Sequence, residues 1–121
     1  MLEIAVLMVF SQHALHPVEI GVASYYTVNS SGAVTASGER MRDDAFTAAM
    51  LDGEFGHYYL VQAENGNSVV VRLNDRGPYV DGRVIDLSKA AMRELSPTAG
   101  LLDVEIYHLG PRIPPNLRGR N

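Results

Sequence analysis

Short runs of alternating apolar and polar residues, broken by turn residues at short intervals, set the pattern of this chain. Residues 18–28 (VEIGVASYYTV) are dense in β-branched and aromatic side chains and predict a strand. Asn29 to Gly32 reads as a loop, and Thr35 to Glu39 (TASGE) as a short polar turn. Ala45 to Leu51 (AFTAAML) fits a short strand or a helical turn, and periodicity does not decide between them. His57 to Ala63 (HYYLVQA) predicts a strand with Tyr59, Val61 and Ala63 on one face. Asn65-Gly66 then signals a hairpin whose two central residues take φ > 0, so that 57–63 and 68–73 pair antiparallel. The apolar run that follows, from Val69, stops at the charged turn Asn74-Asp75-Arg76-Gly77-Pro78. After a second turn at Asp81-Gly82, apolar sequence resumes around Asp86. Asp86 or Ser88 caps a helix through Leu95, which Ser96-Pro97 and Gly100 end. Leu101 to Leu109 alternates, with Leu102, Val104 and Ile106 inward and Asp103, Glu105 and Tyr107 outward.

Five or more short strands and one good helix predict a mainly β domain, either a small closed barrel or a sandwich. At 121 residues the chain is one domain. It divides into an N-terminal extension or degenerate signal segment (1–17), a barrel domain (18–110) and a Pro/Arg-containing tail (111–121). No repeat of solenoid length and no Gly-rich phosphate loop is present. The apolar run Ile4–Phe10 is too short to span a bilayer. It resembles the apolar part of a secretory signal, but Glu3 stands where a positive charge is expected and no clear cleavage site follows.

Charge narrows the function classes. The net charge is −4, which argues against a nucleic-acid binder. Residues 1–110 hold all fourteen acids and seven of the ten bases, a net −7, while the last eleven residues hold three arginines and no acid. That tail, with three prolines, is expected to be a poorly ordered end. There is no cysteine, which removes disulfides, thiolate nucleophiles and thiolate-bound metals.

Three carboxylates are candidates for chemistry. Asp75 lies beside Arg76, with Arg72 and Arg83 near in sequence; if these are near in space they favour its charged form, which suits a base or an electrostatic stabiliser. The same pattern describes a structural salt bridge or an Asx turn. Asp86, between Ile85 and Leu87, is placed for a raised pKa and proton donation, but equally for a helix cap. Glu39, in a turn followed by Arg40 and Arg42, reads alone as a surface charge. His13 and His16 lack a further metal ligand nearby, and His57 and His108 sit at strand positions, so no metal or cofactor is expected. Tyr25, Tyr26, Tyr58, Tyr59 and Tyr79 offer flat faces for stacking on sugars, or fill the barrel and its rim.

The segments GVASYY (21–26), TASGE (35–39), TAA (47–49), NGNSVVVRLNDRGPY (65–79), GRVIDLSKAA (82–91) and REL (93–95), in this order, resemble the double-psi β-barrel domain of the rare lipoprotein A family. The resemblance runs from about Gly21 to Leu109. It implies a six-stranded double-psi barrel with one or two short helices and a polysaccharide groove. It also implies an extracytoplasmic, monomeric envelope protein that acts on peptidoglycan glycan strands, with no nucleic-acid partner and no membrane span. The implied reaction is non-hydrolytic cleavage of the MurNAc–GlcNAc β-1,4 bond to 1,6-anhydro ends, preferentially on denuded glycan. Carried over by position, Glu39 is the acid and Asp75 the stabiliser, with Ser24, Tyr26, Arg76, Tyr79 and Asp86 as groove residues. The chain departs from the family's TAAH at Met50, which cannot transfer a proton. His57 lies several residues away from that position. The alternative implied by the same groove is a non-catalytic, expansin-like glycan-binding or wall-loosening module.

Overall fold

The computed structural model describes residues 16–31 and 33–118. The expectations for Ile4–Phe10 and His13 lie outside the described residues. Six strands close into a barrel: β1 (Glu19–Tyr25), β2 (Thr47–Ala49), β3 (Tyr58–Ala63), β4 (Ser68–Asp75), β5 (Arg83–Leu87) and β6 (Leu102–Gly110). Their order around the barrel is β1-β5-β2-β4-β3-β6. Two pairs, β1/β5 and β2/β4, run parallel and the remaining four antiparallel. Closure leaves no strand with an unpaired edge to template association. The helices are short, α1 (Val28–Ser31) and α2 (Lys89–Leu95).

The β3–β4 hairpin pairs antiparallel as expected, Tyr58 against Arg72 through Gln62 against Ser68. Its turn differs from the one expected. Gly66 alone of the pair takes a positive φ, 93°, and its N–H bonds the Ala63 carbonyl at 3.0 Å. Ala63 N–H then bonds the Asn67 carbonyl at 2.8 Å, so the loop is longer than the two-residue turn. Both Asn65 and Asn67 donate through Nδ2 to the Leu95 carbonyl, at 3.0 and 2.9 Å. The hairpin therefore supplies the side chains that close the C-terminus of α2.

Alternation in β4 puts Val69, Val71 and Leu73 into the barrel core with Ala23, Ile85 and Met92. Val70 is nonetheless buried, because the barrel has a second, outer cluster of Leu60, Val70, Tyr107 and Leu117. This accounts for two departures. Tyr107, expected to face outward into solvent, is 8% exposed under that layer. Residues 111–118 are packed rather than loose: a 3₁₀ turn at Pro115–Leu117 leaves Leu117 only 1% exposed. The cap of α2 is Ser88, whose Oγ accepts from Ala91 N–H, while Asp86 stays within β5.

Candidate functional site

Strand register assembles the site from four distant segments. Ser24 on β1 pairs with Asp86 on β5. Asp86 pairs with Ala49 on β2, and Ala49 pairs with Asp75 on β4. One row thus runs Ser24, Asp86, Ala49, Asp75 across adjacent strands, and two strand spacings put the aspartates about 9–10 Å apart along it. Ser24 Oγ donates to Asp86 Oδ1 at 3.1 Å. Burial raises the Asp86 carboxyl pKa above its ordinary value, opposed by the Ser24 bond and Arg83 and reinforced by Asp75. Tyr26, buried, shares a 3.0 Å hydroxyl hydrogen bond with Thr47. Its phenol is pushed up to about 12, chiefly by burial; the Thr47 bond works against this, and the nearby charges of Asp75, Asp86 and Asp43 add to it.

The turn carrying Glu39 is fastened onto the end of β4. Ala36 N–H donates to Asp75 Oδ1 at 2.8 Å, and Ser37 N–H to the Asn74 carbonyl at 3.1 Å. Gly38, with φ 93°, lets the chain reverse so that its N–H meets the Thr35 carbonyl at 2.9 Å. Glu39 then meets the outward residues of β4. Arg72 grips it with Nη1–Oε2 at 2.6 Å and Nη2–Oε1 at 3.1 Å, and Asn74 Nδ2 donates to Oε1 at 2.9 Å. These donors hold the Glu39 carboxyl below its ordinary range, the Arg72 bond most strongly. A carboxyl so held favours its charged form, and protonating it works against the Arg72 pair. Asn74 also keeps a buried Oδ1 without a partner among the described residues, a cost of the kind retained at functional sites.

A cleft of about 240 Å³ opens here, lined by Glu39, Arg40, Arg42, Thr47, Arg72 and Asn74 among others. Thr47 also bonds Tyr26, whose phenol feels the charges of Asp75 and Asp86. Sequence spacing did not single out Arg72 as the partner of Glu39, nor Asn74 and Thr47 as site residues. The available signal was that Arg72 and Asn74 share the outer face of one strand.

Arg76 departs from expectation. Its backbone N–H donates to Asp75 Oδ1 at 2.9 Å, but its guanidinium turns away to the carbonyls of Gly53 (2.7 Å) and Met50 (3.4 Å) and stacks 4.2 Å above the Phe55 ring. Arg76 therefore braces the 50–55 loop. Tyr79 projects from the following loop, 80% exposed, as a free ring.

Met50 is 5% exposed and packs in the barrel core, where it also lines a second cleft of about 350 Å³ with Tyr59 and His108. Its backbone stays by the site, with N–H to the Asp75 carbonyl at 3.2 Å. His57 does not replace the missing imidazole. Its Nδ1 lies 2.9 Å from His108 Nε2, and its Nε2 lies 2.8 Å from Glu54 Oε2, so both ring nitrogens are engaged. No cluster of three or more metal-ligating side chains exists among the described residues. Among the same residues no helix is long and apolar enough to cross a membrane.

Comparison with known proteins matches residues 18–106 to the family described as lytic transglycolase, a double-psi β-barrel family. The chain is 42% identical over 90 residues to the endolytic peptidoglycan transglycosylase RlpA of Pasteurella multocida, covering 74% of this chain and 29% of that protein. It is 41% identical over 95 residues to RlpA of Neisseria meningitidis serogroup A, covering 77% of this chain and 40% of that one. The chain thus spans well under half the length of these relatives. Among solved structures, a Clavibacter michiganensis expansin superimposes with a TM-score of 0.61 at 20% identity, over 79% of this chain and 52% of the expansin. The Streptomyces papain inhibitor does so with a TM-score of 0.59 at 23% identity, over 74% of this chain and 91% of the inhibitor. At such identities these two structures establish the shared fold alone.

Proposed function

This chain belongs to the lytic transglycolase family, and from that membership we propose that it cleaves peptidoglycan glycan strands, at MurNAc–GlcNAc β-1,4 bonds, to 1,6-anhydro ends. Such a protein works outside the cytoplasm, at the bacterial envelope, and denuded strands are its preferred substrate. The observation that carries the reading is the row that sets Asp86 and Asp75 on either side of Ala49, with the Glu39 turn fastened to Asp75; in this reading the row lines the glycan groove. The reaction needs a proton for the leaving oxygen and negative charge near the developing oxocarbenium ion. Asp86, whose neutral form burial favours, is the better donor. As the C1–O bond breaks, its proton passes to the leaving hydroxyl. The sugar's own 6-hydroxyl then attacks C1, and the Asp86 carboxylate takes that hydroxyl's proton, restoring the acid. Asp75, oriented by two backbone N–H groups, supports the positive charge. In this reading Glu39, the donor expected on resemblance, serves as an anion paired with Arg72 at the wall of the groove. Ser24 orients Asp86, Tyr26 positions Thr47, and Tyr79 offers a ring for sugar stacking.

Digestion of denuded sacculi followed by mass analysis tests this. The protein is expected to release 1,6-anhydro fragments, and Asp86→Asn and Asp75→Asn to lose about 100-fold or more of that rate. Glu39→Gln should lose about tenfold or less. An inactive Glu39→Gln beside an active Asp86→Asn returns the donor role to Glu39. One observation favours a second reading, glycan binding without cleavage: Met50 is a core residue and no histidine side chain takes its place at the site among the described residues. Sacculus pull-down with no fragment released, and activity appearing only in Met50→His, identifies that case.

A further inference from the structure

We propose that the cleft beside Glu39 is an anion subsite that recognises a free carboxylate on the glycan, with Arg40 as its specificity-determining residue. The inference rests on the glycan groove proposed above and adds what that groove selects. The cleft carries three guanidinium groups, those of Arg40, Arg42 and Arg72. Two are already committed. Arg72 is neutralised by its two-pronged pair with Glu39, and Arg42 holds Asp44 with Nε–Oδ1 at 3.0 Å and Nη2–Oδ2 at 3.1 Å. The Arg40 side chain is exposed and has no ion pair or hydrogen bond among the described residues.

The backbone around Arg40 is fixed. Arg40 bridges Val34, Glu39 and Thr35 share backbone bonds, and Met41 beside it is buried with its N–H on the Ala33 carbonyl at 2.9 Å. An unpaired guanidinium carried on a fixed backbone at the lip of a polar cleft is free to turn its planar fork onto a planar anion. The surrounding domain is acidic, with a net −7 over residues 1–110, so this is a local feature and not part of a basic face for a polyanion. The Glu39 charge beside it does not forbid an anion, because Arg72 and Asn74 have taken up both its oxygens.

The glycan backbone is neutral except where a muramoyl sugar carries its ether-linked carboxyl group. With a stem peptide attached, that group is an uncharged amide. It is an anion only on a peptide-stripped strand. Arg40 therefore distinguishes stripped from substituted sugars by charge, without reading the peptide at all.

The test is a binding measurement, independent of turnover. Its probes are a muramoyl-containing oligosaccharide with the free carboxyl, the same compound amidated, and a GlcNAc-only oligomer of equal length. The protein should bind the free acid about five- to tenfold more tightly than the amide at low salt, a preference that fades as salt rises. Arg40→Gln should bind acid and amide equally, and Arg40→Lys should keep part of the preference. Equal binding of acid and amide by the parent protein, or undiminished preference in Arg40→Gln, overturns the inference and leaves the groove standing. Failure to bind any of the three oligomers overturns the groove reading along with it.

Discussion

Two candidate carboxylates, Asp86 and Glu39, are tuned in opposite directions by their surroundings. Burial raises Asp86, while the Arg72 and Asn74 donors lower Glu39. The Asp86 environment was legible in sequence, since Ile85 and Leu87 flank it and both are buried. The Glu39 environment was not, because its partner lies thirty-three positions away and is reached only through the closed barrel. Arg76 was misleading for a related reason: adjacency in sequence placed its backbone, not its guanidinium, against Asp75. The tuning has a consequence for stability. A carboxyl whose folded pKa lies above its unfolded value favours folding fully below the unfolded pKa, near 4, and loses that contribution as pH rises through the folded pKa. Asp86→Asn has no charge to bury, so its melting temperature at pH 7 is expected to equal or exceed the parent's. The gap should close towards pH 3–4, where Asp86 is neutral in both states. A variant clearly less stable than the parent at pH 7, measured by calorimetry, would show that Asp86 is a structural anion and not a suppressed one.

At the level of elements, β2 and α2 depend on one hydroxyl. Ser88 is fully buried. Its Oγ donates to the Ala45 carbonyl at 2.5 Å and accepts from Thr47 N–H at 3.4 Å and Ala91 N–H at 3.3 Å. It is therefore both the N-cap of α2 and the clamp on the start of β2. Replacing it with alanine removes a cap, worth about 1 kcal/mol, and leaves the part-buried Ala45 carbonyl without that donor, worth about 1–2 kcal/mol. Ser88→Ala should lose about 2–3 kcal/mol in denaturant unfolding, and because Thr47 holds Tyr26 it should also weaken glycan binding. A loss confined to a few tenths of a kcal/mol would mean that solvent or a neighbour replaces the hydroxyl. The short elements were the hard ones to foresee. β2 has three residues, fewer than one turn of an α-helix, so the pattern of Ala45 to Leu51 could not separate strand from turn. The 18–28 strand is cut short at Tyr25: Tyr26 N–H makes the last bond to β5, at the Leu87 carbonyl (2.9 Å), and residues from Val28 form a helical turn whose first N–H is taken by Asp43 Oδ1 at 2.8 Å. Those are long-range polar contacts, invisible to local propensity.

Across the whole molecule, the two-sided burial of β3 and β4 was written in the sequence but not its cause. Val69-Val70-Val71 is a continuous apolar run, the signature of a strand covered on both faces rather than one. The inner cover is the barrel core; the outer cover is the chain's own C-terminal segment, whose prolines and arginines suggested a loose end. Leu117 seats this segment beside Leu60, Val70 and Tyr107, with Tyr58, Leu109 and Ile113 around them. Tyr107 also donates to Glu105 Oε1 at 2.7 Å, so its ring lies under the cover while its hydroxyl reaches an exposed carboxylate. Leu117→Ala is expected to cost about 2–4 kcal/mol, the range for a buried leucine whose cavity does not fully collapse. Truncation after Gly110 exposes the outer faces of Leu60, Val70 and Tyr107 together as one apolar patch, and should add self-association to the loss of stability. The barrel should survive the truncation, because β6 ends at Gly110 and every strand pair remains. Circular dichroism and sedimentation on the two variants separate the outcomes. A truncated chain as stable and as monomeric as the parent would mean that the segment rests on the barrel without sealing it. A truncated chain that does not fold would make the segment part of the core itself.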